Sequence, residues 1–319
     1  MCIRDRPVAA LVAAGGLGPV TEGLRAIDPD LLSLTGGELG VAGVFGLISF
    51  LTIGAGFLGS PQIFARSLAL RSEREVRRGA AVAIVWTVLA DTGAVLSGLF
   101  GRYLLSGPGD DLVAVLGVGG EDVLPLLVEQ VFPLVVVGMY VAVVLAAIMS
   151  TIDSLLVVAS SAVVRDWYQK VRHPELPDGA LTGLARWVTF GLATVALLVA
   201  LAVAWVTPER TVFWFVIFGW SGIAATFCPT IILSLFWRGM TARGALAAML
   251  AGFVSVPVFK FAVPALPGIG PVVAELRELT PAFLVSLGVG WLVSRSRPHA
   301  NERAREVDDE LRWAARRGD

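Results

Sequence analysis

Seven stretches of this chain are apolar over lengths that matter: about 40–65, 80–105, 128–162, 182–206, 211–236, 243–263 and 279–295, the last being the shortest. A helix crossing the hydrocarbon core of a bilayer needs about 20 mostly apolar residues. The composition agrees, because 56% of the residues are hydrophobic and 16% are charged, well under the charged share of a soluble domain. The chain is therefore expected to be an all-α polytopic membrane protein.

Lys and Arg are distributed over alternate loops very unequally. One set holds Arg66, Arg71, Arg74, Arg77 and Arg78, then Arg165, Lys170, Arg172 and Arg186, then Arg238 and Arg243, then seven arginines from Arg295 to Arg317. The other set holds only Arg25, Arg210 and Arg277, and it carries acids such as Asp28, Asp30, Asp110, Asp111, Glu121 and Asp122. Cationic loops resist translocation, so eighteen against three supports the span count. It also places the C-terminal tail, 296–319, in the cytoplasm as a solvated segment, with residues 7–295 as the transmembrane domain. The bacterial inner membrane is the expected location.

Other function classes are disfavoured. The net charge of −1 gives no reason to expect nucleic acid as a partner, and Cys2 and Cys228 form neither a disulfide framework nor a metal-ligand spacing. No G-x-x-x-x-G-K-[ST], H-E-x-x-H or G-x-S-x-G is present, so nothing announces an ATP-driven pump or a familiar hydrolase. His173 and His299 fall in loops on the cytoplasmic side. Neither an enzyme nor an organic cofactor is expected. At the N-terminus, "MCIRDR" (residues 1–6) reads as non-native sequence, and the short apolar stretch "PVAALVAAGG" suits either a signal-like segment or the tail of a helix that begins upstream. We adopt the second reading.

Three places break the apolar rule. In "TIGAGFLGSPQIFAR", residues 52–66, Gly54, Gly56, Gly59 and Pro61 gather within one span. Pro61 removes a backbone donor and the glycines ease departure from helical geometry, so the stretch reads either as a packing kink or as a discontinuous helix lining a solute cavity. In "AIMSTIDS", residues 147–154, Ala147, Ser150, Thr151 and Ser154 share a helical face with Asp153 at its edge. Hydroxyls in membrane helices commonly bond to carbonyls one turn back. An acid at the centre of a span, by contrast, costs about 2.5–3.5 kcal/mol and calls for a partner or a function. Such a hard-oxygen set suits an alkali cation. Asp91, about half-way through its span, has three readings: a partner elsewhere, a water-filled cavity, or an interfacial position.

At these residues the chain resembles the sodium/solute symporter family, and within it the sodium/proline symporter group. "GFLGSPQIFAR", "LAAIMSTIDSLLVVASS" and "FGWSGIAATFCPTIILSLFWRGMTARGALAAM" are similar to three ordered segments of that group. The resemblance implies the LeuT-type inverted-repeat bundle, with the second repeat at 40–236, two extra helices behind it, and the first repeat in a missing N-terminal half of the same protein. It implies that Ala147 (by its carbonyl), Ser150 and Thr151 bind the coupling sodium. Ser150, Asp153 and Ser154 match a second cation site of some members, where the middle position is usually a hydroxyl. Ile53, Phe57 and Pro61 fall where proline carriers show Trp, Tyr and Pro, and Phe218 and Trp220 match the segment that helps close the outer gate. The expected function is sodium-coupled symport of a small organic solute, with proline or a related amino acid favoured. The alternative is a symporter-like membrane sensor that binds a solute without accumulating it.

Overall fold

The computed structural model describes residues 11–296, apart from 13, 34–39, 62, 64–69, 71, 207–210, 268–269, 271–272 and 274–275. Residues 1–6, Arg66, Arg71, Arg210, His299 and the tail beyond Ser296 therefore lie outside the described residues. Among the described residues the regular elements are all helical. They are α1 (Leu17–Ile27), α2 (Val41–Ala55), α3 (Glu73–Leu105), α4 (Leu112–Leu116), α5 (Val123–Val131), α6 (Leu134–Ser161), α7 (Thr182–Val206), α8 (Val212–Phe236), α9 (Ala242–Pro257) and α10 (Leu279–Arg295), with short 3₁₀ and π-helical turns between them.

Five helical stretches among the described residues are long and apolar enough to cross a bilayer: Arg74–Leu105, Leu134–Arg172, Gly179–Val206, Val212–Phe236 and Ala242–Ala265. The other two expected spans appear as shorter apolar helices, Gly43–Gly59 and Leu279–Arg295. This is an integral membrane protein.

Two boundaries differ from the apolar pattern. The run expected to start at 128 is split at Phe132 (φ −120°, ψ 151°) and Pro133 (φ −67°, ψ 156°), because a residue preceding proline is driven out of the helical region. The spanning helix therefore starts at Leu134, and it continues beyond 162 through π-helical turns to Arg172. The first expected span stops early, since α2 ends at Ala55, a 3₁₀ turn covers Gly56–Gly59, and Ser60 is extended (ψ 114°) ahead of Pro61.

The chain divides into two compact units. Unit 1 joins Met1–Leu34 to Ala69–Thr211. Its core sets Val20 and Leu24 of α1 against Phe100 of α3 and Leu127 of α5, the four-residue spacing of Val20 and Leu24 putting both on one helical face. Ser72 caps α3 by accepting from the Glu75 N–H at 3.3 Å, in the S-x-x-E pattern of a helix start. The most apolar stretches of α6 and α7 bury nothing within the chain, as expected of surface made for lipid.

Unit 2 joins Thr35–Leu68 to Val212–Asp319. Here α8, α9 and α10 approach through small residues. A Cβ on Gly252 would strike the Ala225 carbonyl, and one on Gly290 would lie 2.9 Å from the Ala248 Cβ. Ser286 Oγ donates to the Ala248 carbonyl at 2.8 Å. Lipid supplies no hydrophobic force between helices, so close packing and polar contacts of this kind hold them together. A part-buried ion pair, Lys260 Nζ to Glu278 Oε2 at 3.2 Å, ties the turn after α9 to the start of α10. The segment before α10 also braces α2: Ser49 Oγ donates to the Leu276 carbonyl at 3.0 Å, and Thr280 Oγ1 bonds to Thr52 Oγ1 at 3.3 Å. Beside them the Arg277 guanidinium lies 3.5 Å from the Trp214 ring centroid.

Candidate functional site

The polar stretch of α6 belongs to unit 1. Measured at 1.5 Å per residue, Leu134 to Arg165 is roughly 46 Å, close to the 40–45 Å of a bilayer with its headgroups, and Ser150 and Thr151 lie half-way along it. Thr151 Oγ1 donates to the Ala147 carbonyl at 3.0 Å, and Ser154 Oγ donates to the Ser150 carbonyl at 2.9 Å. These are the one-turn-back bonds that satisfy hydroxyls in lipid, but they do not exhaust the oxygens. A donating hydroxyl keeps its lone pairs and a carbonyl accepts twice. Ala147, Ser150 and Thr151 thus present three oxygens along one side of α6. Ser150, Thr151 and Asp153 are exposed and Ser154 is half-buried. Asp153 has no ion-pair partner among the described residues.

The broken helix belongs to unit 2. Its glycines do not adopt positive φ, so the conformational freedom expected of them is not what the fold uses at Gly56 and Gly59. Close approach is. A Cβ on Gly56 would lie 2.7 Å from the Ala224 Cβ and 2.8 Å from Trp220 Nε1, and one on Gly59 would fall on the backbone of Cys228, 2.6 Å from its Cα. Gly54 meets nothing within 4 Å. The result is that α8 lies directly on the break and supplies donors to it. Trp220 Nε1 donates to the Ile53 carbonyl at 3.1 Å, and Cys228 Sγ donates to the Ala55 carbonyl at 3.1 Å. Backbone opened inside a bilayer must find such partners.

Ile53, Phe57 and Trp220 are therefore brought together, with the Phe57 and Trp220 rings 4.7 Å apart at 53°. Phe57 remains exposed, whereas Ile53, Pro61, Phe218 and Trp220 are half-buried. Phe218 stacks edge-on against Phe261 at 5.7 Å, so both matched gate aromatics contact protein. Ser60, beside Pro61, is fully buried, and its hydroxyl has no hydrogen-bond partner among the described residues. Nothing in the sequence signals the buried Ser60 or the bond from Cys228 to Ala55, because a lone thiol and a lone hydroxyl in apolar runs carry no pattern. Asp91 lines a groove of about 480 Å³ in unit 1 with Ser97 and Glu121. It is exposed there.

Comparison with known proteins settles the family. The model of the "Sodium:solute symporter family" matches residues 6–252. The chain belongs to the sodium:solute symporter family. It is 34% identical to the "High-affinity proline transporter PutP" of Bacillus subtilis (strain 168) over 288 residues, which are 90% of this chain and 56% of that protein. It is 30% identical to the "Osmoregulated proline transporter OpuE" of the same organism, covering 90% of this chain and 54% of the relative. Against the "Sodium/proline symporter" of Staphylococcus aureus it is 32% identical over 91% of this chain and 54% of the relative. The chain thus spans about half the length of the curated relatives it matches. In this symporter family member, the family match takes in α6, the broken helix and α8.

Proposed function

We propose that this chain is part of a secondary transporter that couples inward movement of sodium to uptake of a small organic solute, proline or a related amino acid being favoured. The observation that carries the reading is the pairing, in one family member, of a mid-span oxygen face (Ala147, Ser150, Thr151) with a helix broken at Gly56–Ser60. Hydroxyl and carbonyl oxygens suit an alkali cation, and discontinuous helices form solute sites in transporters. In this reading Ala147, Ser150 and Thr151 hold the coupling sodium, and Asp153 with Ser150 and Ser154 offers a second cation site. Ile53, Phe57 and Pro61 line the solute site, and Phe218 and Trp220 belong to the outer gate. The whole is a LeuT-type inverted repeat, whose first repeat is an N-terminal half that this chain does not include.

Residues 7–295 form the transmembrane part, the bacterial plasma membrane houses it, and the tail from 296 is cytoplasmic. Sodium moving down its gradient biases the outward- and inward-open states because they bind it with different free energy, and the membrane potential contributes about 2.3 kcal/mol per charge per 100 mV. No covalent step is involved. The deciding experiment is uptake of labelled proline by the complete protein in vesicles under an imposed sodium gradient. Accumulation that collapses when the gradient is removed supports symport, whereas saturable solute binding without accumulation rejects it in favour of a sensor.

A further inference from the structure

Hydroxyls along the helices of unit 2 follow one habit. Thr52 Oγ1 donates to the Ile48 carbonyl at 2.7 Å, Ser221 Oγ to Ile217 at 2.7 Å, Thr226 Oγ1 to Gly222 at 2.6 Å and Ser234 Oγ to Thr230 at 2.7 Å. Each bond reaches one turn back. Ser60 departs from the habit, because it is fully buried and its Oγ has no hydrogen-bond partner among the described residues. The backbone explains why. Ser60 closes a 3₁₀ turn and is itself extended (φ −69°, ψ 114°), so no regular α-helical turn lies behind it to offer a carbonyl. Its N–H donates to the Phe57 carbonyl at 3.3 Å and its carbonyl accepts from the Ile63 N–H at 3.0 Å, while Pro61 has no N–H to give. Beside it Gly59 lies against α8, where an added Cβ would fall 2.6 Å from the Cys228 Cα, and the Cys228 thiol is committed to the Ala55 carbonyl.

A buried hydroxyl left unpaired carries the full cost of its desolvation, and here that cost lasts only while the break is packed on α8. We propose that Ser60 biases the broken helix toward opening. Separation of Gly56–Ser60 from α8 gives the hydroxyl access to water or to a polar group of the solute, which lowers the free energy of the open form relative to the packed one. Two bonds oppose it, since Trp220 and Cys228 meet the carbonyls of Ile53 and Ala55 only in the packed form. Hydrogen bonds between membrane helices are individually weak, so one unpaired hydroxyl is of a size to balance them. Ser60 is thus a positioning residue, acting on the solute site through the conformation of the break. The opening itself is independent of which solute is carried, and its link to uptake rests on the symport reading above.

The test is alkylation of Cys228 in the full chain carrying Cys2→Ser, which leaves Cys228 as its one cysteine. Because Cys228 is buried against the break, its rate of reaction with N-ethylmaleimide, followed by mass spectrometry, reads the open population. Ser60→Ala is expected to slow that reaction at least about fivefold, the lower end of what an unpaired buried hydroxyl costs, and to raise the midpoint of thermal unfolding. Ser286→Ala, whose hydroxyl is equally buried but donates to the Ala248 carbonyl at 2.8 Å, is expected to leave the rate within about twofold. An unchanged or faster reaction in Ser60→Ala, a lowered midpoint or failure to fold, or an equal slowing in Ser286→Ala overturns the proposal. In the complete protein, a solute that binds only the open fraction has its apparent affinity reduced in proportion, so Ser60→Ala raises the proline concentration for half-maximal uptake about fivefold. An unchanged half-saturation beside a slowed alkylation overturns the positioning role. Alkylation reads no transport, so its failure leaves the symport reading standing, and absence of uptake in the parent rejects that reading alone.

Discussion

Trp220 reaches across from α8 to donate its indole N–H to the carbonyl of Ile53, 167 residues away, at 3.1 Å. The bond fixes α8 against the last turn of α2 just before the helix breaks, and the same ring covers Phe57 at 4.7 Å. One residue of the matched gate segment thus holds the backbone of one residue of the matched solute segment.

Trp220→Phe keeps an aromatic ring over Phe57 and removes only the donor. Hydrogen bonds between membrane helices average about 0.6 kcal/mol and reach about 1.7, so the variant is expected to lose stability in that range. The measurement is the midpoint of SDS-induced unfolding, followed by circular dichroism. A midpoint equal to the parent's removes the bond from any role in holding α2.

Gly59 and Gly54 are expected to respond to alanine with opposite signs. At Gly59 the added methyl falls on the Cys228 backbone, 2.6 Å from its Cα, and backbone cannot rotate away, so the cost reaches or exceeds the 1–3 kcal/mol of ordinary overpacking. At Gly54 nothing lies within 4 Å, and exchanging glycine for alanine inside a helix is worth about 0.5–1 kcal/mol. Thermal unfolding of the two variants beside the parent decides the matter. Equal effects would mean that the break does not pack on α8 as described.

Much of the fold was legible because apolar length alone specifies membrane helices. The position of Pro133 was legible too, yet the run 128–162 masked it, since hydropathy ignores the restriction that proline places on Phe132. What the sequence could not reveal is pairing across distance. Trp220 with Ile53, Cys228 with Ala55 and Arg277 with Trp214 join residues whose spacing carries no period. The glycines of the broken helix were read for backbone freedom, and Gly56 and Gly59 turned out to be needed for proximity to α8. On α6, the Thr151 and Ser154 hydroxyls bond one turn back, as the packing reading of the hydroxyls expects, and their oxygens keep lone pairs.

Ser150→Ala and Thr151→Ala, made in the complete protein, are expected to raise the sodium concentration for half-maximal proline uptake by about tenfold each. That corresponds to about 1.4 kcal/mol, the lower end of a contact between a neutral oxygen and a charge. The Thr151 variant also frees the Ala147 carbonyl from its hydroxyl partner, so Thr151→Ser should recover most of the affinity. Uptake measured over a sodium series checks this. Unchanged dependence in both alanine variants would remove these residues from the ion site.

Solute preference should follow the two residues that depart from the pattern of proline carriers. Ile53 and Phe57 lie one turn apart on the broken helix, with Phe57 exposed and Ile53 half-buried beside Trp220. The double variant Ile53→Trp, Phe57→Tyr adds two polar N–H or O–H groups at the break, and a site that then hydrogen-bonds a polar solute discriminates against analogues lacking the partner group. Competition of unlabelled amino acids against labelled proline is expected to shift in rank order. An unaltered profile would place both side chains away from the solute.

The chain taken alone is expected to show no saturable sodium binding in the millimolar range. Its three proposed ligand oxygens come from one helix, and Ser150 and Thr151 are exposed, so an ion there would keep most of its water and gain little from contact. An alkali ion gives up hydration only where protein oxygens surround it, because an uncompensated charge is costly to desolvate. In the proposed fold the remaining oxygens belong to an opened helix of the first repeat, which makes sodium affinity a property of both repeats together. Isothermal titration of purified residues 7–319 with sodium chloride against choline chloride provides the measurement. Co-expression with an N-terminal half supplied from a matched relative is expected to restore a sodium-specific heat, one that Thr151→Ala then removes. A saturable sodium-specific heat from the chain alone would show that α6 and its neighbours complete the shell unaided, and the division of the ion site between repeats would have to be abandoned.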